Sequence, residues 1–129
     1  MKTNRLNDIL RDCDQFQQNA SEAHEIIQAV AMHYGISMSK ITSTTRKREV
    51  VEVRQIAQYI LYERYNSKPL KTHIIKFSLV VIGCYFDQDH ANVLHAIRTV
   101  KNLFATDKKY KKLVETLFYE LIPEYNEEI

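Results

Sequence analysis

The chain has 129 residues, of which 45% are hydrophobic and 26% charged, and it contains two glycines and two prolines. This length supports one domain with a real core and is too short for two independent domains. The scarcity of glycine and proline, and the lack of alternating β-branched and polar residues, predict an all-α protein and argue against a β-rich fold. The net charge of +2 by itself indicates no partner.

Charge is distributed unevenly along the chain. Between Lys40 and Lys112 there are 15 Lys and Arg residues against 6 Asp and Glu, whereas the rest of the chain holds 3 against 10. The middle therefore carries +9 and the two ends together −7. Such a segregated field suits a polyanionic partner better than a uniform mixture would, with chance clustering of surface lysines as the alternative.

Cysteine usage and the N-terminus bear on the compartment. Cys13 and Cys84 lie far apart among apolar helical positions, which predicts buried free thiols rather than a disulfide. Residues 1–15 lack the apolar stretch of a signal peptide, and no window approaches about 18 consecutive apolar residues. We therefore expect a soluble, cytoplasmic protein without a membrane partner.

The N-terminal third shows helical periodicity. Apolar residues at helical spacing predict a first helix over about residues 4–18. A second helix is expected to begin at Asn19 or Ser21 and to end at Gly35, which suits a left-handed terminal conformation. Residues 35–41 then form a short turn of helix or a loop.

The next segment is basic and has no apolar stripe. Residues 42–51, TSTTRKREVV, predict an exposed segment that enters a helix at about Val50, and this helix ends near Asn66. Residues 67–77 are expected to form a connector, because Pro69 is incompatible with a regular helix across it.

Two helices separated by a polar turn follow. Ser78 can cap a short apolar helix, and Asp89, or with less support Asp87, can cap the helix after the turn, since its carboxylate accepts from first-turn N–H groups. The core stripe of this longer helix is Val93, Ile97, Val100 and Phe104. A final helix is predicted from about Asp107, ending at Pro123. Its apolar stripe is Leu113, Leu117 and Leu121.

We divide the chain into an added N-terminal helix (1–20), a helix-turn-helix domain (21–105) and a C-terminal helix (106–129). The terminal helices present amphipathic surfaces at the acidic ends of the chain. We expect these helices to pack on the domain, with the pairing of two copies as the alternative.

The longer helix has a polar side. At about 100° per residue, the residues opposite the core stripe are Ala91, His95, Arg98, Thr99 and Asn102. A short helix, a tight turn and a longer helix form a helix-turn-helix pattern, whose second helix enters the DNA major groove by its N-terminal residues. The side chains on this polar side can donate to and accept from base edges or phosphates.

A metal site in this region has less support. His90 and His95 are five residues apart and diverge by about 140° around a helix axis, whereas ligand pairs use spacings of three or four. Only Asp87, Asp89 and His90 could converge through the turn. No Gly-rich phosphate loop occurs in the sequence. We therefore expect no catalytic residues, no metal and no cofactor.

Three blocks in order carry a resemblance. VVEVRQIAQYIL, SLVVIGCYF and DHANVLHAIR resemble the C-terminal DNA-binding domain of DnaA, the bacterial replication initiator, over about residues 25–101. This resemblance implies an all-α, multi-helix bundle containing a helix-turn-helix that binds double-stranded DNA. Relative to it, residues 1–20 and 106–129 are extra helices.

The resemblance also implies roles for individual residues. The residues implied to read bases in the major groove are Asp89, His90, Ala91, Asn92 and His95. By spacing, Arg46 corresponds to an arginine that enters the adjacent minor groove, with Arg48 as the alternative. Arg54 and Gln55 are implied to lie near phosphates. Arg98 joins this set through its position beside His95 on the polar side.

The sequence departs from the family pattern at four places. Ala91 and Asn92 replace two threonines, and the turn FDQDH is one residue shorter than usual and lacks glycine and arginine. Tyr62 stands where a basic phosphate contact is common. The connector at 67–77 is several residues longer than usual. These departures put the sequence preference and the tilt of the second helix in question.

The resulting expectation is a non-enzymatic protein that recognises a DnaA-box-like site in double-stranded DNA and acts as an accessory or regulator of replication initiation or transcription. Because only one added helix precedes the matched region in this sequence, we expect no ATP hydrolysis of the kind that the ATPase module of a full initiator performs. One alternative is an interaction protein that has lost DNA binding and docks on replication proteins through its terminal helices. Another is a metal-dependent nuclease using Asp87, Asp89 and His90.

Overall fold

The computed structural model describes residues 13–66 and 78–121, without the side chains of residues 13–19 and 65–66. These described residues form six helices and no strand, which confirms the predicted all-α class. The helices are α1 (Cys13–His33), α2 (Met38–Ile41), α3 (Arg48–Asn66), α4 (Leu79–Phe86), α5 (His90–Thr106) and α6 (Lys108–Leu121). The predicted connector at 67–77, the first residues of the predicted N-terminal helix and the stop at Pro123 lie outside the described residues. No helix in the described ranges is long and apolar enough to cross a bilayer.

α1 differs from the prediction. It runs through Asn19 and Ser21 as one helix, so the predicted boundary there is wrong. Asn and Ser cost a helix only a few tenths of a kcal/mol, and tertiary packing overrides such a preference. Here the side chains from Ala23 onward are buried at helical spacing in the core. The predicted end is confirmed, because Gly35 has a φ of 68° and the N–H of Ile36 donates to an α1 carbonyl at 2.8 Å.

α3 is the central helix and contacts α1, α2, α4 and α5. The residues it buries against them include Val53, Ile56, Ala57, Ile60 and Leu61. It begins at Arg48, two residues before the predicted start at Val50. Residues 42–47, which we call the arm, therefore connect α2 to α3 without helical structure.

The turn between α4 and α5 is tight. Ser78 caps α4 as predicted, by accepting from the N–H of Val81 at 3.2 Å. A Cβ atom added to Gly83 would collide with the carbonyl oxygen of Gln88, so only glycine allows this approach. Asp87 ends α4 in the left-handed region with a φ of 54°, a conformation that is less costly for glycine than for a residue with a Cβ atom.

α5 and α6 close the bundle. The predicted α5 stripe is confirmed, since Val93, Ile97 and Val100 are buried and Phe104 packs against the core. Asp107 separates the helices and caps α6, accepting from the N–H groups of Lys109 and Tyr110 at 3.0 and 3.1 Å.

Two expectations about apolar positions are wrong. Leu113 is 41% exposed, whereas Leu117 is buried as predicted, together with Val114 and Phe118. The reason is that α6 lies against both α1 and α5, so the helix side between those two neighbours is covered. Cys84 is exposed, because the short helix α4 turns Ile82, Gly83 and Phe86 inward.

Candidate nucleic-acid interface

The start of α5 is fixed by its own cap. The Oδ1 atom of Asp89 accepts from the N–H of Asn92 at 2.9 Å, and Asp89 has extended backbone angles of −80° and 169°. This confirms Asp89 as the N-cap. His90 and Ala91 follow in the first turn and are exposed. The helix thus begins at the surface with backbone and side chains open to a ligand.

The polar side of α5 is accessible. His95 and Arg98 are exposed, one turn apart, and Asn102 is exposed in the next turn. Thr99 is half-buried and donates its hydroxyl to the carbonyl of His95 at 2.9 Å, so its proton points back along the helix. Among the described residues, the polar side chains exposed to a ligand on this side are therefore His95, Arg98 and Asn102.

The arm follows a path set by its own hydroxyl groups. The N–H of Thr45 donates to Ser43 Oγ at 3.3 Å, and the N–H of Lys47 donates to Thr45 Oγ1 at 3.4 Å. Arg46 and Lys47 are exposed at its end. Side chains that bond nearby backbone groups stabilise a turn-like segment without helix or sheet.

Arg54 holds the arm from inside. Its side chain is only 4% exposed, and Nε donates to the carbonyl of Ile41 at 2.9 Å. Nη2 donates to the carbonyls of Ser43 and Thr45 at 2.8 and 3.1 Å. Burial lowers the pKa of the guanidinium below its ordinary value. The structure thus shows a contact to the arm that the sequence did not reveal, while the phosphate contact of Arg54 stays a prediction.

Gln58 ties α3 to the helix-turn-helix. Its Nε2 donates to Gln88 Oε1 in the turn at 2.7 Å, and the side chain is 1% exposed. Sequence reasoning missed both glutamines. A signal was present, because Gln58 follows Gln55 by three residues and Arg54 by four, which marks a polar side on a helix that is otherwise largely apolar.

A groove of about 340 Å³ joins these elements. Its lining comes from the arm, one side of α3, the turn and the first half of α5. Of the ten predicted site residues, it brings together Arg46, Arg54, Gln55, Asn92 and His95. The other five lie outside the lining but are exposed: Arg48, Asp89, His90, Ala91 and Arg98.

The charges around the groove are mixed. Arg48 is paired with Glu52 at 3.1 Å, and both side chains are largely exposed. Arg46 forms no ion pair with any residue in the described ranges. Asp87 lines the groove together with Arg46, and Asp89 heads α5, so the site carries carboxylates as well as cationic side chains. A polyanion would meet Arg46 more readily than Arg48, because a paired charge is already partly neutralised.

The residues considered for a metal site do not gather. Within residues 13–66 and 78–121, no group of three or more His, Cys, Asp or Glu side chains is placed to hold a metal ion. Asp87, Asp89 and His90 are exposed. The geometry of this region is that of a surface groove flanked by a helix start.

The family comparison matches this arrangement. A family model described as "Bacterial dnaA protein helix-turn-helix" matches residues 23–100, which include α3, the turn and the polar side of α5 up to Val100. The chain belongs to the bacterial DnaA helix-turn-helix family.

Curated relatives of this DnaA family member are similar over most of the chain. Each of the following is named chromosomal replication initiator protein DnaA. The Flavobacterium psychrophilum protein is 40% identical over 93 residues, 71% of this chain and 17% of the relative. The Bacteroides fragilis protein is 36% identical over 110 residues, 84% of this chain and 21% of the relative. The Thermus thermophilus protein is 37% identical over 94 residues, 72% of this chain and 19% of the relative. The chain thus spans about a fifth of the length of the curated relatives it matches.

Proposed function

We propose that this protein binds double-stranded DNA at a DnaA-box-like site and serves as an accessory or regulator of replication initiation or transcription. One observation carries the proposal. The arm, α3 and the first half of α5 meet at one groove, beside which the polar side of α5 is exposed. This is the arrangement by which one segment can follow a minor groove while a helix start lies in the adjacent major groove.

The length of α5 supports major-groove entry by its first half. Its 17 residues span about 25 Å, whereas the major groove is about 12 Å wide. Only the first two or three turns would therefore reach base edges. Those turns carry His90, Asn92, His95 and Arg98, all exposed. In this proposal they read bases together with Asp89 and Ala91.

The arm and α3 would provide the positioning contacts. Arg46 would enter the minor groove, where narrow A·T-rich segments attract arginine. Gln55 lines the groove and would lie near a phosphate, and so would the outer edge of Arg54. Arg48 has less support for the minor-groove role, because Glu52 pairs with it and it does not line the groove.

Family membership supports DNA binding related to replication initiation and a non-enzymatic role for this region. The relatives are named as replication initiators, and the matched region is about a fifth of their length. The activity of the whole initiator is therefore not transferred to this chain. The accessory or regulatory role, in replication or in transcription, is part of the proposal.

Selection from a random duplex library tests the proposal. The purified chain should enrich one short sequence, and binding of that sequence should weaken as salt rises, because phosphate contacts release counterions. Lys112→Ala provides a matched control, since this exposed lysine lies at the start of α6 rather than on the groove. It should change affinity slightly and leave the enriched sequence unaltered.

Two results would refute the proposal. One is a library with no enriched sequence, combined with retention that does not depend on salt. The other is an equal loss of binding on all sequences in His95→Ala and Arg98→Ala, which would show that neither side chain reads bases.

A chain that binds no DNA but binds purified replication proteins directly would instead support the interaction role, above all if a variant lacking residues 1–20 lost that binding.

A further inference from the structure

Arg54 makes the long-range hydrogen bonds between the arm and the rest of the described chain. Two of its bonds reach back 11 and 9 residues to the arm, at Ser43 and Thr45, and a third reaches back 13 residues to Ile41, the last residue of α2 directly before the arm. The other hydrogen bonds of the arm within the described residues span four positions or fewer. Local bonds shape the arm, and this guanidinium supplies its hydrogen bonds to α3.

The bonded carbonyls precede the residue implicated in minor-groove binding. Thr45, whose carbonyl accepts from Nη2, is directly followed by Arg46. Fixing the Thr45 carbonyl sets the direction in which the chain leaves that residue, and so the starting point of the Arg46 side chain. Arg46 itself is exposed and lines the groove next to α3.

We propose that Arg54 is a positioning residue, which holds the arm against α3 and thereby places Arg46 for the minor groove before DNA arrives. This inference rests on the proposed function for its DNA consequence, while the hold on the arm concerns the free protein. A preorganised arm avoids most of the ordering cost that a free segment of six residues would meet on binding.

Substitution by lysine separates this role from a phosphate contact. Lysine keeps the positive charge, so it can still face a phosphate as a point charge. It lacks the planar fork and cannot donate from two nitrogens to carbonyls in three different residues. Arg54→Lys should therefore preserve a phosphate contact and abolish the hold on the arm.

Arg64 offers a matched control. It lies on the same helix, its side chain is equally buried at 4% exposure, and it bonds Glu22 of α1 at 3.4 Å rather than the arm. Arg64→Lys reports what the loss of any buried guanidinium of α3 does to the fold. Thermal unfolding of both variants, followed by circular dichroism, shows whether each remains folded.

The first measurement uses the free protein. The arm contains Arg46 and Lys47, which are trypsin sites, and cleavage requires the segment to leave its fixed path. In limited trypsin digestion followed by mass spectrometry, Arg54→Lys should be cleaved after these residues several-fold faster than the wild type. Arg64→Lys should be cleaved there at the wild-type rate. Equal rates in all three proteins would overturn the hold on the arm.

The second measurement uses the selected DNA site. Arg54→Lys should lower affinity about 10-fold, the same loss that we expect for Arg46→Ala, and lose preference at A·T-rich positions beside the site while keeping preference within it. The double variant Arg46→Ala with Arg54→Lys should bind as weakly as the weaker single variant and no weaker. Additive losses, or wild-type affinity in Arg54→Lys, would overturn the positioning role.

The two proposals fail in different ways. If the wild type selects no DNA sequence, the proposed function fails, and the link from Arg54 to the minor groove fails with it. The trypsin cleavage rates would still decide whether Arg54 holds the arm. If the wild type selects a site and Arg54→Lys selects it with unchanged flanks, only the positioning role fails.

Discussion

The arm and the start of α5 meet at the same groove, yet they are held in place by different kinds of interaction. The start of α5 depends on local rules, namely an aspartate cap and an apolar stripe that anchors the helix. The arm has no stripe and no regular backbone bonding, and it is tied to the fold by a side chain nine residues away or more. The start of α5 is therefore specified mainly by residues close to it in sequence, whereas in our proposal the path of the arm depends on a single residue of α3.

The largest expected effect is on the turn that delivers α5. Gly83→Ala would place a methyl group against the carbonyl oxygen of Gln88, a backbone atom that cannot move aside without distorting the turn. We expect the free energy of unfolding to fall by about 1–3 kcal/mol, the range for overpacking. Urea denaturation measures it, with Cys84→Ala as the exposed neighbouring control, expected within about 0.5 kcal/mol of the wild type.

Gly83→Ala also tests how independent the two halves are. The arm is hydrogen-bonded to Arg54 of α3, which Gly83→Ala leaves unchanged. Trypsin cleavage of this variant after Arg46 and Lys47 should therefore stay slow under native conditions. Fast cleavage there in a variant that is still folded would contradict the separation of the arm from α5.

The next effect concerns sequence discrimination. Arg98→Ala and His95→Ala should each lower the preference for the selected site over a single-base variant by about 1–3 kcal/mol, the usual contribution of a base contact. Arg46→Ala should instead lose preference only beside the site, next to A·T-rich sequence. Competition gel shifts against a panel of single-base variants measure both. Identical preference profiles for Arg46→Ala and Arg98→Ala would mean that arm and helix do not read separate grooves.

Sequence reasoning succeeded where the determinants are local. The α5 stripe, the Asp89 cap and the end of α1 at Gly35 follow from spacing and residue type within one or two turns. It failed at Asn19 and Ser21, where packing of the following residues overrides a weak local preference. It also misplaced Leu113, because the burial of α6 depends on which two helices flank it.

The site was predicted unevenly for the same reason. Exposure of His95 and Arg98 follows from the helix period alone. The inward turn of Arg54 and the bond between Gln58 and Gln88 depend on contacts 9 to 30 residues apart, and helical spacing marks a polar side of α3 without identifying these partners. The assignment of base-reading and phosphate roles to particular residues stays a prediction.

A smaller effect is expected at the cap. Asp89→Ala removes the acceptor for the N–H of Asn92 and should cost about 1 kcal/mol of unfolding free energy. Asp89→Asn keeps the capping geometry and should lie close to the wild type. Asp107→Ala removes the equivalent cap of α6, which is not part of the groove lining, and serves as the control for site selection. We expect Asp89→Ala and Asp107→Ala to lose similar amounts of stability, and only Asp89→Ala to select a different DNA sequence. A changed selection in Asp107→Ala as well would show that the change comes from a general loosening of the bundle.

The smallest expected effect is a gain at Asp87, a non-glycine residue in the left-handed region with a carboxylate on the groove lining. Asp87→Gly removes the backbone cost and should raise the free energy of unfolding by about 0.5 kcal/mol. Asp87→Ala removes the same charge but keeps a Cβ and loses the local bonding that helps aspartate adopt this conformation, so it should lower the free energy of unfolding by a similar amount. Both variants should bind DNA more tightly at low salt, because a negative charge beside the phosphates is gone. If Asp87→Gly gains stability and Asp87→Ala loses it while both bind DNA more tightly, the strain lies in the backbone and the repulsion comes from the carboxylate. If the DNA affinity of the two variants instead rises and falls with their stability, the carboxylate does not face the DNA.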